Sequence, residues 1–102
     1  MVYFLIDTYI DSEKGRGSYD EYIEKVKPIV ESFGGTYILR SERIRSLSPE
    51  RTPQRVIIIS FPDREHMERC FESEEYKEIM GMRISSVDAR AIIVEEEDGS
   101  WK

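Results

Sequence analysis

The chain is poor in the residues that do most covalent and metal chemistry, with one cysteine, Cys70, and one histidine, His66. A lone cysteine forbids an internal disulfide, so the fold must stand on its core, and a reducing, cytoplasmic setting is expected. In the company of Met67 and Phe71, Cys70 reads as a small apolar filler on a helix rather than a reactive thiol. One histidine and one cysteine among scattered acids give no transition-metal spacing, so neither metal nor cofactor is expected. Nucleophilic triads need an oriented imidazole, and His66 falls in the first turn of an expected helix, where a surface or capping role suffices. No apolar run is long enough to cross a membrane, and Met1-Val2-Tyr3-Phe4-Leu5-Ile6-Asp7 lacks a basic flank, so a soluble, untargeted protein is expected. Positive charge is also in deficit. Fifteen Lys and Arg against 21 Asp and Glu leave a net charge of −6, which repels phosphate backbones and argues against nucleic acid or an anionic membrane as partner.

What the sequence does have is Arg55-Val56-Ile57-Ile58-Ile59-Ser60-Phe61-Pro62-Asp63. This β-branched run is too short for a packed helix and ends in a proline that cannot continue a ladder, so it reads as a buried central strand. Val2 to Ile10 carries apolar groups on both faces and reads as a second inner strand. The polar loop that follows contains Gly15-x-Gly17, which lacks the further glycine and the Lys-Ser/Thr ending of a phosphate loop and is read as surface. Ser18 and Glu21 predict a capping box for a helix whose apolar stripe is Tyr19, Tyr22, Ile23, Val26, Ile29, Val30 and Phe33. Pro28 should bend this helix, and Gly34 should stop it in the left-handed conformation.

Gly35 to Ser41 predicts the next strand, and Arg43 to Leu47 alternates as an exposed continuation or separate short strand. Five arginines between Arg40 and Arg55 form a basic patch on an acidic chain. Asp63 predicts the cap of a helix with Met67, Cys70 and Phe71 inward. Ser73 predicts a fresh cap for a second piece, Glu74 to Met80, with Tyr76, Ile79 and Met80 inward and Gly81 at its end. Ala89 to Val94 is the last strand.

Residues 1–95 are thus read as one domain of α+β class, and 96–102 as an acidic C-terminal tail of solvated charge rather than a cation site. The order β-α-β-β-α-β is the ferredoxin-like plait, two helices on one face of an antiparallel sheet. Its other face is apolar too and needs a cover, for which a second copy of the chain, a homodimer through the sheet face, is the simplest choice. An RNA-binding version of this plait does not fit, because the central strand offers only Phe61 where stacking aromatics should interleave with basic residues.

Arg40 is read as sharing a strand face with Thr36 and Ile38, which leaves a guanidinium in need of a partner at one end of an apolar surface. Arg83, beyond the second helix, should reach the same end. Together they are candidate holders of a small anionic ligand, with Tyr76 and Tyr37 as orienting hydrogen-bond donors. The alternative is that each arginine pairs with a carboxylate or lies in solvent.

Gly34-Gly35-x-x-x-Leu39-Arg40, Arg55-Val56, Phe61-Pro62, Ser73-x-x-Tyr76, Arg83 and a final Ile-Val-Glu strand, in this order and spacing, resemble the family called domain of unknown function 1330. The resemblance implies a dimeric α/β barrel with a pocket between sheet and helices. By superfamily analogy it suggests a cofactor-independent enzyme, monooxygenase-like or isomerase-like, acting on a small anionic or aromatic metabolite. The alternative is a non-catalytic ligand-binding or assembly protein. The sequence departs from the family pattern at Ser46-Leu47-Ser48, where an acidic residue and glycine are usual, and at Ser60, where a glutamate is usual. It also lacks a tryptophan before Ser73 and carries an insertion from Lys14 to Gly17.

Overall fold

In the computed structural model, residues 1–97 are described, and 98–102 of the expected acidic tail lie outside them. The elements are β1 (Val2–Tyr9), α1 (Tyr19–Ser32), β2 (Thr36–Ser41), β3 (Arg55–Phe61), α2 (Arg64–Glu72), α3 (Glu74–Ile84) and β4 (Asp88–Glu95). All neighbouring strands are antiparallel, in the order β2-β3-β1-β4. This is the α+β plait expected from the sequence, with the second helix in two pieces, as Ser73 predicts. The division falls at Ser73, whose extended backbone interrupts the helix while its hydroxyl accepts the Tyr76 amide at 3.2 Å.

The register sorts the sheet into two faces. Tyr37, Ile59, Phe4 and Ile93 line up across the strands on the helix side, followed by Arg40, Ile57, Ile6 and Ala91. Leu39, Ile58, Leu5 and Ile92 line up on the open side. The core lies on the helix side, where Val26, Val30, Ile57, Ile59, Phe61 and Cys70 are buried. Helix α1 runs through Pro28 without ending. Its expected capping box does not form. The Ser18 side chain instead meets the Ser86 hydroxyl at 3.2 Å, joining the start of α1 to the turn before β4, and Glu21 pairs with Lys25.

Three further expectations are corrected. Arg43 to Leu47 is irregular, not a strand, and Leu47 is almost fully exposed. Gly81 does not end α3, which continues to Ile84 and so carries Arg83 inside the helix rather than beyond it. Arg40 does not share a face with Thr36 and Ile38, because a bulge between Tyr37 and Leu39 inserts one unpaired residue and turns Arg40 to the side of Tyr37.

The end of α1 matches the left-handed assignment. Gly34 has φ +87°, its amide reaches the Glu31 carbonyl, and the Gly35 amide reaches the Val30 carbonyl at 2.9 Å, a Schellman closure. Gly35 has a tighter constraint, since a Cβ there would lie 2.4 Å from Val30 Cγ1 and 2.9 Å from Phe61 Cε1. Gly34→Ala should therefore cost about 1 kcal/mol, and Gly35→Ala more, up to about 3 kcal/mol, because the clash is with core atoms. Urea midpoints of the two variants should fall in that order, and an unchanged Gly35→Ala midpoint would refute the packing described.

Candidate functional site

Between the helix-side face of the sheet and helices α1 and α3 lies a cavity in two parts. The inner chamber, about 30 Å³, is walled by core residues such as Val26, Ile57 and Phe71 and reaches Tyr37, Tyr19 and Thr8. It is the volume of one water. The outer chamber, about 250 Å³, is lined by Phe4, Ile6, Tyr22, Tyr76, Arg83, Ala89 and Ala91. Phe4, Ile6, Tyr22, Arg83 and Ala89 border both chambers, making them one site with a narrow floor and a wider mouth. At the mouth β4 presents two alanines, Ala91 opposite Ile6 of β1 and Ala89 opposite Thr8, so its side chains fill little of this space.

The polar groups of this site are donors or neutral. Arg83, in the last turn of α3, is half-buried, and among the described residues no carboxylate lies within 4 Å of its guanidinium. Burial alone would lower its pKa, but the phenol oxygens of Tyr76 and then Tyr22 outweigh that and hold it above the ordinary value. The hydroxyls of Tyr22 and Tyr76 share a hydrogen bond of 3.1 Å. Since one of the two O–H groups serves that bond, the other remains to donate elsewhere. Burial above all, then the neighbouring Tyr76, pushes the Tyr22 phenol well above its usual range. Burial raises Tyr37 to about 12, against the pull of the Arg40 guanidinium.

The four residues singled out in the sequence are thus divided. Arg83 and Tyr76 meet at the mouth, and Tyr37 stands at the inner chamber. Arg40 lines neither chamber. It is exposed at the β2 edge with its guanidinium carbon 5.4 Å from the centre of the Tyr37 ring, a stacking role that satisfies it without a ligand. The residue that sequence reasoning passed over is Tyr22, counted only as part of the apolar stripe of α1. Its signal was a polar tip one turn from Tyr19 on an otherwise aliphatic face.

Other chemistry-bearing residues lie elsewhere. His66 is spent on the α2 cap, its amide and ring nitrogen both within 2.8 Å of Asp63 Oδ1, and this pair of contacts, the amide first, lowers the Asp63 pKa. Cys70 is buried, its thiol pushed up to about 11 by that burial. Ser60 belongs to the open side of the sheet and borders neither chamber. Among the described residues no group of three or more His, Cys, Asp or Glu is placed to hold a metal ion, and no helix is long and apolar enough to cross a membrane.

A four-stranded antiparallel sheet, helices on one face and a pocket between the layers define an α+β domain with the ferredoxin-like fold. The chain belongs to the family described as Domain of unknown function (DUF1330), whose model matches residues 2–97. Among solved structures, a protein of unknown function from Rhodopseudomonas palustris superposes with TM-score 0.80 at 17% identity, covering 95% of this chain and 82% of its own. A dimeric ferredoxin-like protein of unknown function from Jannaschia sp. CCS1 gives 0.65 at 16% identity, covering 93% and 98%. A crystal structure named as an antibiotic biosynthesis monooxygenase gives 0.56 at 14%, covering 95% and 99%. At such identities the likeness is one of fold. A comparison with the curated proteins finds no match.

The raised phenols have a thermodynamic consequence. A tyrosine at about 12 in the folded chain and about 10 unfolded keeps its proton longer when folded, so the stability it contributes is complete below pH ~10 and is lost as the pH rises towards 12. In alkaline denaturation Tyr37→Phe should flatten the fall in stability across that window. Phenolate absorbance should lose one late-titrating tyrosine in Tyr37→Phe and one in Tyr22→Phe, and an early loss in either would contradict the burial assigned.

Proposed function

We propose that this protein is a homodimer that binds a small organic anion in the outer chamber, with Arg83 as the charged clamp and Tyr22 and Tyr76 as its hydrogen-bonding neighbours. The observation that carries the reading is the half-buried guanidinium without an acidic partner among the described residues. A charge taken partly out of water is costly unless compensated, and a bound anion supplies the compensation. Tyr37 forms part of the floor, and Arg40 supports it from outside by stacking.

Binding is favoured over catalysis by what lines the chambers. Carboxylates and histidine are the usual general bases near neutral pH, and among the described residues neither chamber is lined by one. The tyrosines with raised pKa remain neutral donors. The cofactor-independent reaction suggested by the monooxygenase-named neighbour therefore rests on fold analogy alone.

The dimer is supported by the open face. Leu39 and Ile92 are 44% and 60% exposed in the single chain, and with Leu5 and Ile58 they form an apolar row across all four strands. Asp7 and Arg51 pair beside it at 2.6 Å, and the Jannaschia neighbour with the same plait is named as dimeric. An isologous pairing of two such rows needs to bury about 1,200 Å² or more to be stable.

Light scattering across a size-exclusion peak should give about twice the 12.0 kDa chain mass, and a monomer at micromolar concentration would sink the dimer. In thermal-shift assays against small carboxylates and phosphates, wild type and Arg40→Met should both be stabilised by an anion that Arg83→Met ignores. No anion-dependent shift in wild type, or a full shift in Arg83→Met, would remove the anion site.

A further inference from the structure

Resting on the reading of the outer chamber as an anion site, we infer that its ligand is a monocarboxylic acid with a compact apolar body, ring or short branched chain, and not a phosphate, a dicarboxylate or a long-chain acid. Charge decides first. Among the described residues the chamber holds a single guanidinium and no second cation, so a monoanion leaves it neutral and a dianion leaves an uncompensated charge against apolar walls. Shape agrees with charge, because the planar fork of Arg83 matches the two oxygens of a carboxylate. The phenol pair adds one outward O–H, a donor that suits an acceptor-only group.

The remaining walls set the other end of the ligand. Phe4, Ile6, Ala89 and Ala91 offer no side-chain polar partner, so a second carboxylate or a run of hydroxyls would be buried unsatisfied. Size completes the selection. At about 250 Å³ the outer chamber lies below the range of pockets for drug-sized ligands, about 300–1,000 Å³, and the inner chamber of about 30 Å³ admits one water rather than an alkyl chain. The alanines of β4 leave room for a ring edge at the place where a larger side chain would close the mouth.

Titration calorimetry on the intact protein, with benzoate, benzamide, butyrate, decanoate, succinate and inorganic phosphate as probes, tests this. Benzoate should bind at least about tenfold tighter than benzamide, its uncharged analogue, as loss of a charge-assisted hydrogen-bond pair requires. It should likewise exceed succinate, phosphate and decanoate. Arg83→Met should lose the preference of benzoate over benzamide, and Arg83→Lys should keep part of it because the charge remains while the fork is gone. Ala91→Leu, which fills the mouth from the β4 side and leaves Arg83 in place, should weaken benzoate more than butyrate. Thermal melts of each variant separate loss of binding from loss of fold. Tighter binding of phosphate or succinate than of benzoate would overturn the monocarboxylate assignment and leave the anion site standing. Equal binding of decanoate and benzoate would overturn the size limit, and equal binding of benzamide and benzoate, or no binding by any probe, would overturn the anion site as well.

Discussion

The pairing of β1 with β3 is the constraint on which the other features depend. Both strands are apolar on both sides, and only one side is covered by helices of the same chain. On the covered side Phe4, Ile6, Ile57 and Ile59 meet the stripe of α1, and that contact fixes where α3 can lie and therefore where Arg83 points. On the open side Leu5 and Ile58 extend their row to both edges through Leu39 and Ile92. A single hydrophobic pairing thus generates both the pocket and the surface that asks for a second copy.

The edges of the sheet are where simple alternation fails. A strand has a side-chain period of two, so one inserted residue reverses every side chain beyond it. The insertion in β2 falls at Ile38, and it moves Arg40 from the face of Thr36 to the face of Tyr37. Ring and guanidinium then stack, and Arg40 has no need of a ligand. Nothing in Thr36-Tyr37-Ile38-Leu39-Arg40 announces the bulge, since it answers to the register of β3 and to the placing of Tyr37 at the cavity floor.

The helices were legible to the degree that their signals were local. Asp63 and Ser73 cap as their residue types demand, because each has its acceptor three residues from the amide it serves. Ser18 has the same chemistry but a competing partner distant in sequence, Ser86, and tertiary contact prevailed. Gly81 shows the opposite error. A glycine often ends a helix, yet here it costs only about 1 kcal/mol relative to alanine in the helix interior, and contacts of Tyr76 and Ile79 on one side and Met82 on the other keep α3 continuous. Had the helix stopped at Gly81, Arg83 would lie in a loop and the chamber would have no charge. Arg83, the proposed anion clamp, was visible as a residue type and invisible as a position.

Stability alone gives little reason for the composition of the chamber. A guanidinium half-removed from water with no carboxylate beside it among the described residues is worse for the folded state than an apolar side chain of similar size. The tyrosine pair is better placed, because each hydroxyl satisfies the other, but it satisfies only one of the two protons. The alanines of β4 forgo apolar burial that isoleucine or leucine would provide at the same register positions. Each of these local choices runs against the consistency seen in the surrounding core, and they coincide in one space about as large as a small acid. Local rules broken together, with the breaches sharing a volume, a charge sign and a set of donors, are what supports the proposed ligand over a defect of packing.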